Sequence, residues 1–287
     1  MFRLDVDLVP LAGLASAEDL LGVIVFGARH PLASLELTGI PQLGPVPMAE
    51  VWRGHDVWFG TWVGDGEDVE AATRRGYDQL LAEARERGYP HLMRVWNHIR
   101  DLNAGEGDEE RYKRFCAGRH EAFMAAGWTK PRLPAASGIG MREGGVAMYC
   151  VSAREPGEQI ENPRQVAAYD YPRRYGRRSP SFARATVAGG LVFVSGTASV
   201  VGHQTRHAGD LDAQLGETLT NLQAILAAAG AKQLRVAKVY IRHRADYPRI
   251  AARLDEAMPE TKKLYLESDI CRADLLVEID GVAATTS

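Results

Sequence analysis

The chain has only three cysteines, Cys116, Cys150 and Cys271, an odd number with no metal-ligand spacing. That excludes a disulfide framework and leaves reduced thiols in a cytoplasm as the simplest reading. Long apolar runs are missing too, and none approaches the ~18 residues of a transmembrane helix. The N-terminus, MFRLDVDLVP, has acids where a secretory signal carries a basic region and then an apolar core. No excess of one charge exists: 34 Lys and Arg against 37 Asp and Glu leave a formal net charge of -3, which argues against a nucleic-acid-binding domain. There is no G-x-G-x-x-G fingerprint and no P-loop. These absences predict a cytoplasmic protein with no membrane or nucleic-acid partner, no metal and no bound organic cofactor.

What the chain does have is a dense knot of guanidinium groups. The segment YPRRYGRRSPSFARA, Tyr171 to Ala185, carries Arg173, Arg174, Arg177, Arg178 and Arg184 among aromatic side chains. Like charges this close repel one another, so the cluster makes sense around something anionic and flat. Arginine suits that task because its planar fork meets a carboxylate through two parallel hydrogen bonds. For Arg173, Arg174 and Arg177 a solvated rim position is the simpler reading. His203 and His207 form an H-x3-H pair in a glycine-bearing loop with no third ligand near, which favours solvated side chains over a metal site.

Hydrophobic residues at 46% and charged residues at 25% mark a globular chain of one large or two ordinary domains. In the C-terminal half, Leu191 to Val194 suits a buried strand. Leu211, Leu215, Leu219, Leu222, Ile225 and Leu226 recur at helical spacing until Gly230. Val236 to Arg242 reads as a second strand, a helix begins at Asp246 and Pro248, and Leu275 to Val282 reads as a last strand. The N-terminal half repeats that order more faintly. Val51 to Val63 suggests paired strands meeting at Gly54-His55-Asp56. Helices are expected over Glu67 to Arg87 and Glu109 to Ala126, with strands at His91 to Ile99 and Val146 to Val151. The shared order predicts a duplicated unit, an N-terminal one over 1–152 and a C-terminal one over 165–287. Ala153 to Arg164, with its two prolines, is the linker candidate.

The runs AGGLVFVSGTASVVG, GDLDAQLGETLTNLQAILAAAGA and VAKVYIRHRADYPRI resemble the RidA/YjgF family over roughly residues 186 to 283. A wider resemblance takes in MRVWNHIRDLN, GDEERYKRFCAGRHEAF, YGRRSPSFARA, SGTASVVGHQT and CRADLLVEIDG, which in this order look like the chorismatases. Arg177 departs from that pattern, which often has proline there, and a longer N-terminal segment of some members is missing. The resemblance implies an α+β fold of two RidA/YjgF-like (chorismate-mutase-like) units, the N-terminal one degenerate, each a mixed sheet with helices on one face. It also implies a cofactor-free enzyme of secondary metabolism that releases pyruvate from chorismate. Simple RidA units form trimers, so the chain is expected as a monomer with an internal repeat or as a homotrimer.

Cleaving the enol ether of chorismate requires protonating its methylene carbon, a step for a carboxylic acid whose pKa is raised by an apolar setting. Glu278, between Val277 and Ile279, lies by alternation on the opposite face from both. On pattern alone it reads equally as an ion-paired or surface residue; the resemblance places it on the family's catalytic glutamate. Asp280 shares its face as a second acid. The same resemblance puts substrate anchoring on Arg184, Arg178 and Arg242, with Tyr175 and Tyr149 as hydroxyl donors and Thr197 and Ala183 beside the ligand. Family members yield either a dihydrodiol acid, completed by water, or 3- or 4-hydroxybenzoate, where the ring hydroxyl acts internally. Ala183 leans toward the first product and Cys271 toward the second. The steric and polar effect of Cys271 on the ring tips the expectation to a hydroxybenzoate. Two other readings stay open: a RidA-type enamine or imine deaminase, and a non-enzymatic protein that binds small anions.

Overall fold

The computed structural model describes residues 42–43 and 57–286, apart from 65, 129 and 143. Of the strand pair expected over Val51 to Val63, the Gly54–Asp56 turn lies outside these residues and the second strand is present as β2, Val57–Gly64. Helix α1 follows at Val69–Glu86, where the Asp68 carboxylate caps the N-terminus by accepting from the backbone N–H groups of Glu70 and Ala71. Then come β3 (His91–Arg100), α2 (Arg111–Ala125), β4 (Ala135–Met141) and β5 (Val146–Ala153). These strands form a sheet in the order β2-β5-β3-β4, antiparallel except for the parallel β3–β4 pair.

The second half contributes β6 (Glu158–Ile160), β7 (Ala185–Ala188), β8 (Leu191–Ala198) and the short β9 (Val200–Val201) and β10 (Gln204–Thr205). Helix α3 spans Leu211–Ala228, ahead of Gly230, whose φ of 68° gives the left-handed turn its position requires. After it come β11 (Ala231–Ile241), α4 (Tyr247–Ala257), β12 (Lys262–Glu267) and β13 (Val277–Thr285). Within the seven-stranded sheet the run β8-β13-β11-β12 repeats β2-β5-β3-β4 strand for strand, including the one parallel pair. The duplication expected from the sequence is thus present in the topology.

Two segments cross the expected boundaries. The linker candidate contains β6, which pairs with β7, and β1 (Gln42–Leu43) pairs with β12 of the C-terminal sheet. Short strands of this kind carry too few residues to show a period. Strands β4, β7 and β12 were not anticipated either; AASGIGM in β4 is too rich in small residues to announce a strand.

Each sheet buries one face under its own helices and the other against its counterpart. Trp58, Val95, Val146 and Met148 pack beneath α1 and α2, while Val192, Val239, Val277 and Ile279 pack beneath α3 and α4. Between the sheets lies a third cluster that includes Met93, Trp96, Ile139, Tyr149, Phe193, Tyr240 and Val282. The layers are therefore helix, sheet, sheet, helix, and a polar side chain on an inner sheet face is enclosed by both units. Among the described residues no helix is long and apolar enough to cross a membrane.

Candidate active site

Alternation along β13 sends Val277 and Ile279 to the helices and Glu278 and Asp280 to the space between the sheets. At that point the sheets part around a cavity of about 570 Å³, within the range of small-molecule sites. Glu278, only 3% exposed, forms part of its wall. Both units supply lining residues, among them Tyr112 and Lys113 from α2, and Arg184, Gly196 and Arg272 from the second half.

Burial, aided by the neighbouring Asp280 carboxylate, pushes the Glu278 carboxyl up to about 8 against the pull of Arg94, Arg184 and Arg272. At neutral pH it therefore carries a proton. A local irregularity makes room for it. Thr197 pairs with Ile279 and Val194 with Gly281, so Ser195 and Gly196 together stand opposite Asp280 in a β-bulge. The bulge reverses the face of the strand: Phe193 and Ser195 point inward before it, Gly196 and Ala198 after it. Gly196 lies so close to the acid that a β-carbon there would sit 1.9 Å from Glu278 Oε1.

Two guanidinium groups face the acid across the cavity. Arg184, 7% exposed, donates from Nη2 to the Tyr171 hydroxyl at 2.6 Å and to the Val166 carbonyl at 3.2 Å. Its Nε is buried with no hydrogen-bond partner among the described residues. Arg272 donates from Nη1 to the His203 carbonyl at 3.0 Å and to the Thr205 hydroxyl at 3.2 Å. Its guanidinium lies 4.5 Å from the ring centre of Tyr175 and 5.4 Å from that of Tyr171. Cys271 Sγ is 3.9 Å from Glu278 Oε2, and burial pushes its thiol up to about 12, so it stays a neutral thiol.

Of the residues singled out from the sequence, Glu278, Cys271, Arg184 and Tyr175 line this cavity. The other five do not. Arg242 donates all five of its N–H groups: Nε to the Leu275 carbonyl, Nη1 to Asp269 and Asn103, Nη2 to the carbonyls of Ile270 and Arg272. It clamps the segment that carries Cys271 and Arg272 and has no donor left for a ligand. Tyr149 is buried between the sheets, edge-on to His98. Ala183 lies on the opposite strand face from the lining residues Phe182 and Arg184, bridged to Ala135. Thr197 is turned away by the bulge, its hydroxyl donating to the Ser195 carbonyl at 2.9 Å. Arg178 is exposed outside the cavity, where it helps depress the pKa of His120.

Asp280 is no second acid in the cavity: it is 1% exposed and paired with Arg94 at 2.8 Å. Of the other arginines of the cluster, Arg174 also lines the cavity, and their pairings hold the loop in place. Arg173 pairs with Asp108, Arg177 with Glu70, and Arg174 Nη2 lies 2.8 Å from His203 Nδ1. His203 also takes the Tyr175 hydroxyl on its carbonyl, and His207 pairs with Glu217 at 3.5 Å. Sequence reasoning missed Arg272, Tyr171, Tyr112 and Gly196. Only Arg272 offered a signal, its place beside Cys271 in CRADLLVEIDG.

A proton donor with a raised pKa, in a cavity also lined by Arg184 and Arg272, can protonate a substrate bearing two carboxylates. Comparison with known proteins follows the same lines. The family model "Chorismatase FkbO/Hyg5-like, N-terminal" matches residues 48–152, and "Endoribonuclease L-PSP" matches residues 177–285. A 3-hydroxybenzoate synthase from Streptomyces hygroscopicus is 44% identical over 92% of this chain and 91% of its own. A chorismatase from Streptomyces rapamycinicus is 39% identical over 81% of this chain and 76% of its own. A chorismatase crystal structure superposes with a TM-score of 0.72 at 36% identity, covering 79% of this chain and 74% of that one.

Proposed function

Because the chain belongs to the chorismatase family, we propose that it is an enzyme that cleaves chorismate to pyruvate and a hydroxybenzoate, with Glu278 as the proton donor. The observation that carries this reading is a buried carboxyl, its pKa raised by burial, sharing one cavity with the guanidinium groups of Arg184 and Arg272. Arg184 and Arg272 suit the two carboxylates of the substrate, and Tyr171 and Tyr175 keep the guanidinium planes oriented. Held there, the enol ether presents its methylene carbon to Glu278. Proton transfer makes that carbon the methyl group of pyruvate and places positive charge on the ether carbon. The electrostatics change in step, since Glu278 becomes a carboxylate beside the developing cation.

Hydroxybenzoate and pyruvate together contain the atoms of chorismate and nothing more. In this outcome the ring hydroxyl completes the cleavage from within, and the ring sheds a proton as it becomes aromatic. The Glu278 carboxylate is placed to take that proton back, which resets the acid. The dihydrodiol outcome would instead incorporate one water. Cys271 stands beside Glu278 on the cavity wall, where its steric and polar effect on the ring favours the internal route. The relative at 44% identity is named for the 3-isomer, which favours 3-hydroxybenzoate here. Both units line the cavity, so a single copy of the chain carries a whole site. The reading places the enzyme in the cytoplasm, in secondary metabolism.

The test is incubation of the purified protein with chorismate in water enriched in oxygen-18, followed by mass spectrometry. The expected products are pyruvate and 3-hydroxybenzoate without label on the ring hydroxyl. A dihydrodiol acid as the product, its ring oxygens unlabelled because the water oxygen leaves in pyruvate, would overturn the product assignment. Glu278→Gln should lower pyruvate release by about 10²-fold or more with the fold retained; normal turnover would overturn the role of the acid.

A further inference from the structure

Behind Glu278, away from the cavity, the two units meet through a polar cluster that the reaction does not touch. Asp280 follows Glu278 by two residues on the same inner face, about 7 Å along the strand. From the other unit, Arg94 on β3 donates from Nη2 to Asp280 Oδ2 at 2.8 Å and to Ser137 Oγ at 2.5 Å. Ser137 on β4 in turn donates to the same carboxylate oxygen at 2.7 Å, and the Tyr240 hydroxyl on β11 does so at 3.1 Å. Every member is buried. Three donors from three strands are a large commitment to one carboxylate that faces no ligand, and two of them come from the opposite unit. A buried ion pair is an expensive way to join two sheets, since apolar side chains of similar size commonly do as well.

We propose that Asp280, held as a fixed negative charge by Arg94, Ser137 and Tyr240, is a positioning residue that keeps Glu278 in its proton-donating form. The inference deepens the reading of Glu278 as the acid and rests on it. The groups around Glu278 make the sign definite. From its own strand comes Asp280; from β11 comes Tyr240, while Lys238 stands opposite Asp280; from β3 comes Arg94; from the cavity side come Arg184, Arg272, Cys271 and Tyr112. Arg94, Arg184 and Arg272 favour the Glu278 carboxylate, and Asp280 is the charge that opposes them. Remove it and three cations remain to draw the proton off.

The experiment is the pH profile of kcat/KM for pyruvate release by wild type and Asp280→Asn. Wild type should lose activity as the pH rises through the Glu278 value of about 8. In Asp280→Asn that fall should move to lower pH by ~1 unit or more, while the rate at the acidic plateau stays within a few-fold of wild type. A fall that stays in place, with the rate reduced equally at every pH, would overturn the proposal. Should Asp280→Asn fail to fold, Arg94→Gln tests the same balance from the other side: it leaves the Asp280 charge less opposed, so the fall should move to higher pH, and a fall that moves down would overturn the proposal. Carbon-13 NMR of the Glu278 carboxyl follows the same shift without substrate. A wild-type protein that left chorismate intact would therefore sink the functional reading, and the NMR titration would still decide this one.

Discussion

The tightest contact in the site is the one between a glycine and the acid, and it gives the sharpest prediction. In Gly196→Ala the new β-carbon would stand 1.9 Å from Glu278 Oε1 and 2.6 Å from its carboxyl carbon, with Ser137 Oγ at 3.2 Å on the other side. Real contacts do not fall below 3.0 Å, so the carboxyl must retreat by more than about 1 Å, a misplacement that costs on the order of 10²-fold in a positioned reaction. The retreat itself is cheap, because among the described residues the carboxyl's one hydrogen-bond partner is the Cys271 thiol at 3.9 Å, and the cavity lies open beside it. Overpacking should cost about 1–3 kcal/mol of stability, far less than a domain contains. The expected result is a folded protein whose kcat for pyruvate release, followed by a lactate dehydrogenase coupled assay, falls by about 10²-fold with a modest drop in Tm. A kcat within a few-fold of wild type in the folded variant would refute the argument that this glycine exists to seat the acid.

Removing Arg184 or Arg272 from the cavity wall should act on binding. Arg184→Ala and Arg272→Ala are each expected to raise KM by about 10- to 100-fold, the worth of a charge-assisted hydrogen bond, read from initial rates over a range of chorismate concentrations. Arg242→Ala should lower Tm and kcat together, because it frees four bonds that hold the Asp269–Leu275 segment; an unchanged Tm would contradict the clamp. Stability should also respond to pH. The Glu278 value in the fold, about 8, lies above its ordinary 4.5, so the native state holds a proton that the unfolded chain has released. That contribution is complete below pH 4.5 and is lost as the pH rises through 8. Glu278→Gln should therefore show a smaller fall in Tm between pH 5 and pH 9 than wild type, measured by calorimetry.

Much of this was legible in the chain. Strand alternation alone put Glu278 opposite Val277 and Ile279, and glycine-ended helices marked the repeated order of elements. What escaped were features set by tertiary geometry. The extra residue of the Ser195–Gly196 bulge shifts the strand by one, which removes Thr197 from the site and installs a glycine that has no side chain to advertise it. Arg242 and Arg272 look alike in sequence, and only their distances separate a clamp from a cavity wall. Arg94 lay in a strand whose register with the other unit no local pattern encodes.

The strand-for-strand correspondence of the two sheets has an evolutionary reading. With the bulges at Leu92/Arg94 and Leu234/Val236 aligned, Ala147 takes the place of Glu278, Tyr149 that of Asp280, and Val236 that of Arg94. Ala147, Tyr149 and Val236 all belong to the apolar cluster between the sheets. A pair of identical halves would have carried two acids and two ion pairs. Here the symmetry is broken. One half has surrendered its chemistry to become the wall and the counter-charge for the other, and a fused gene is what allows the two copies to diverge in that way.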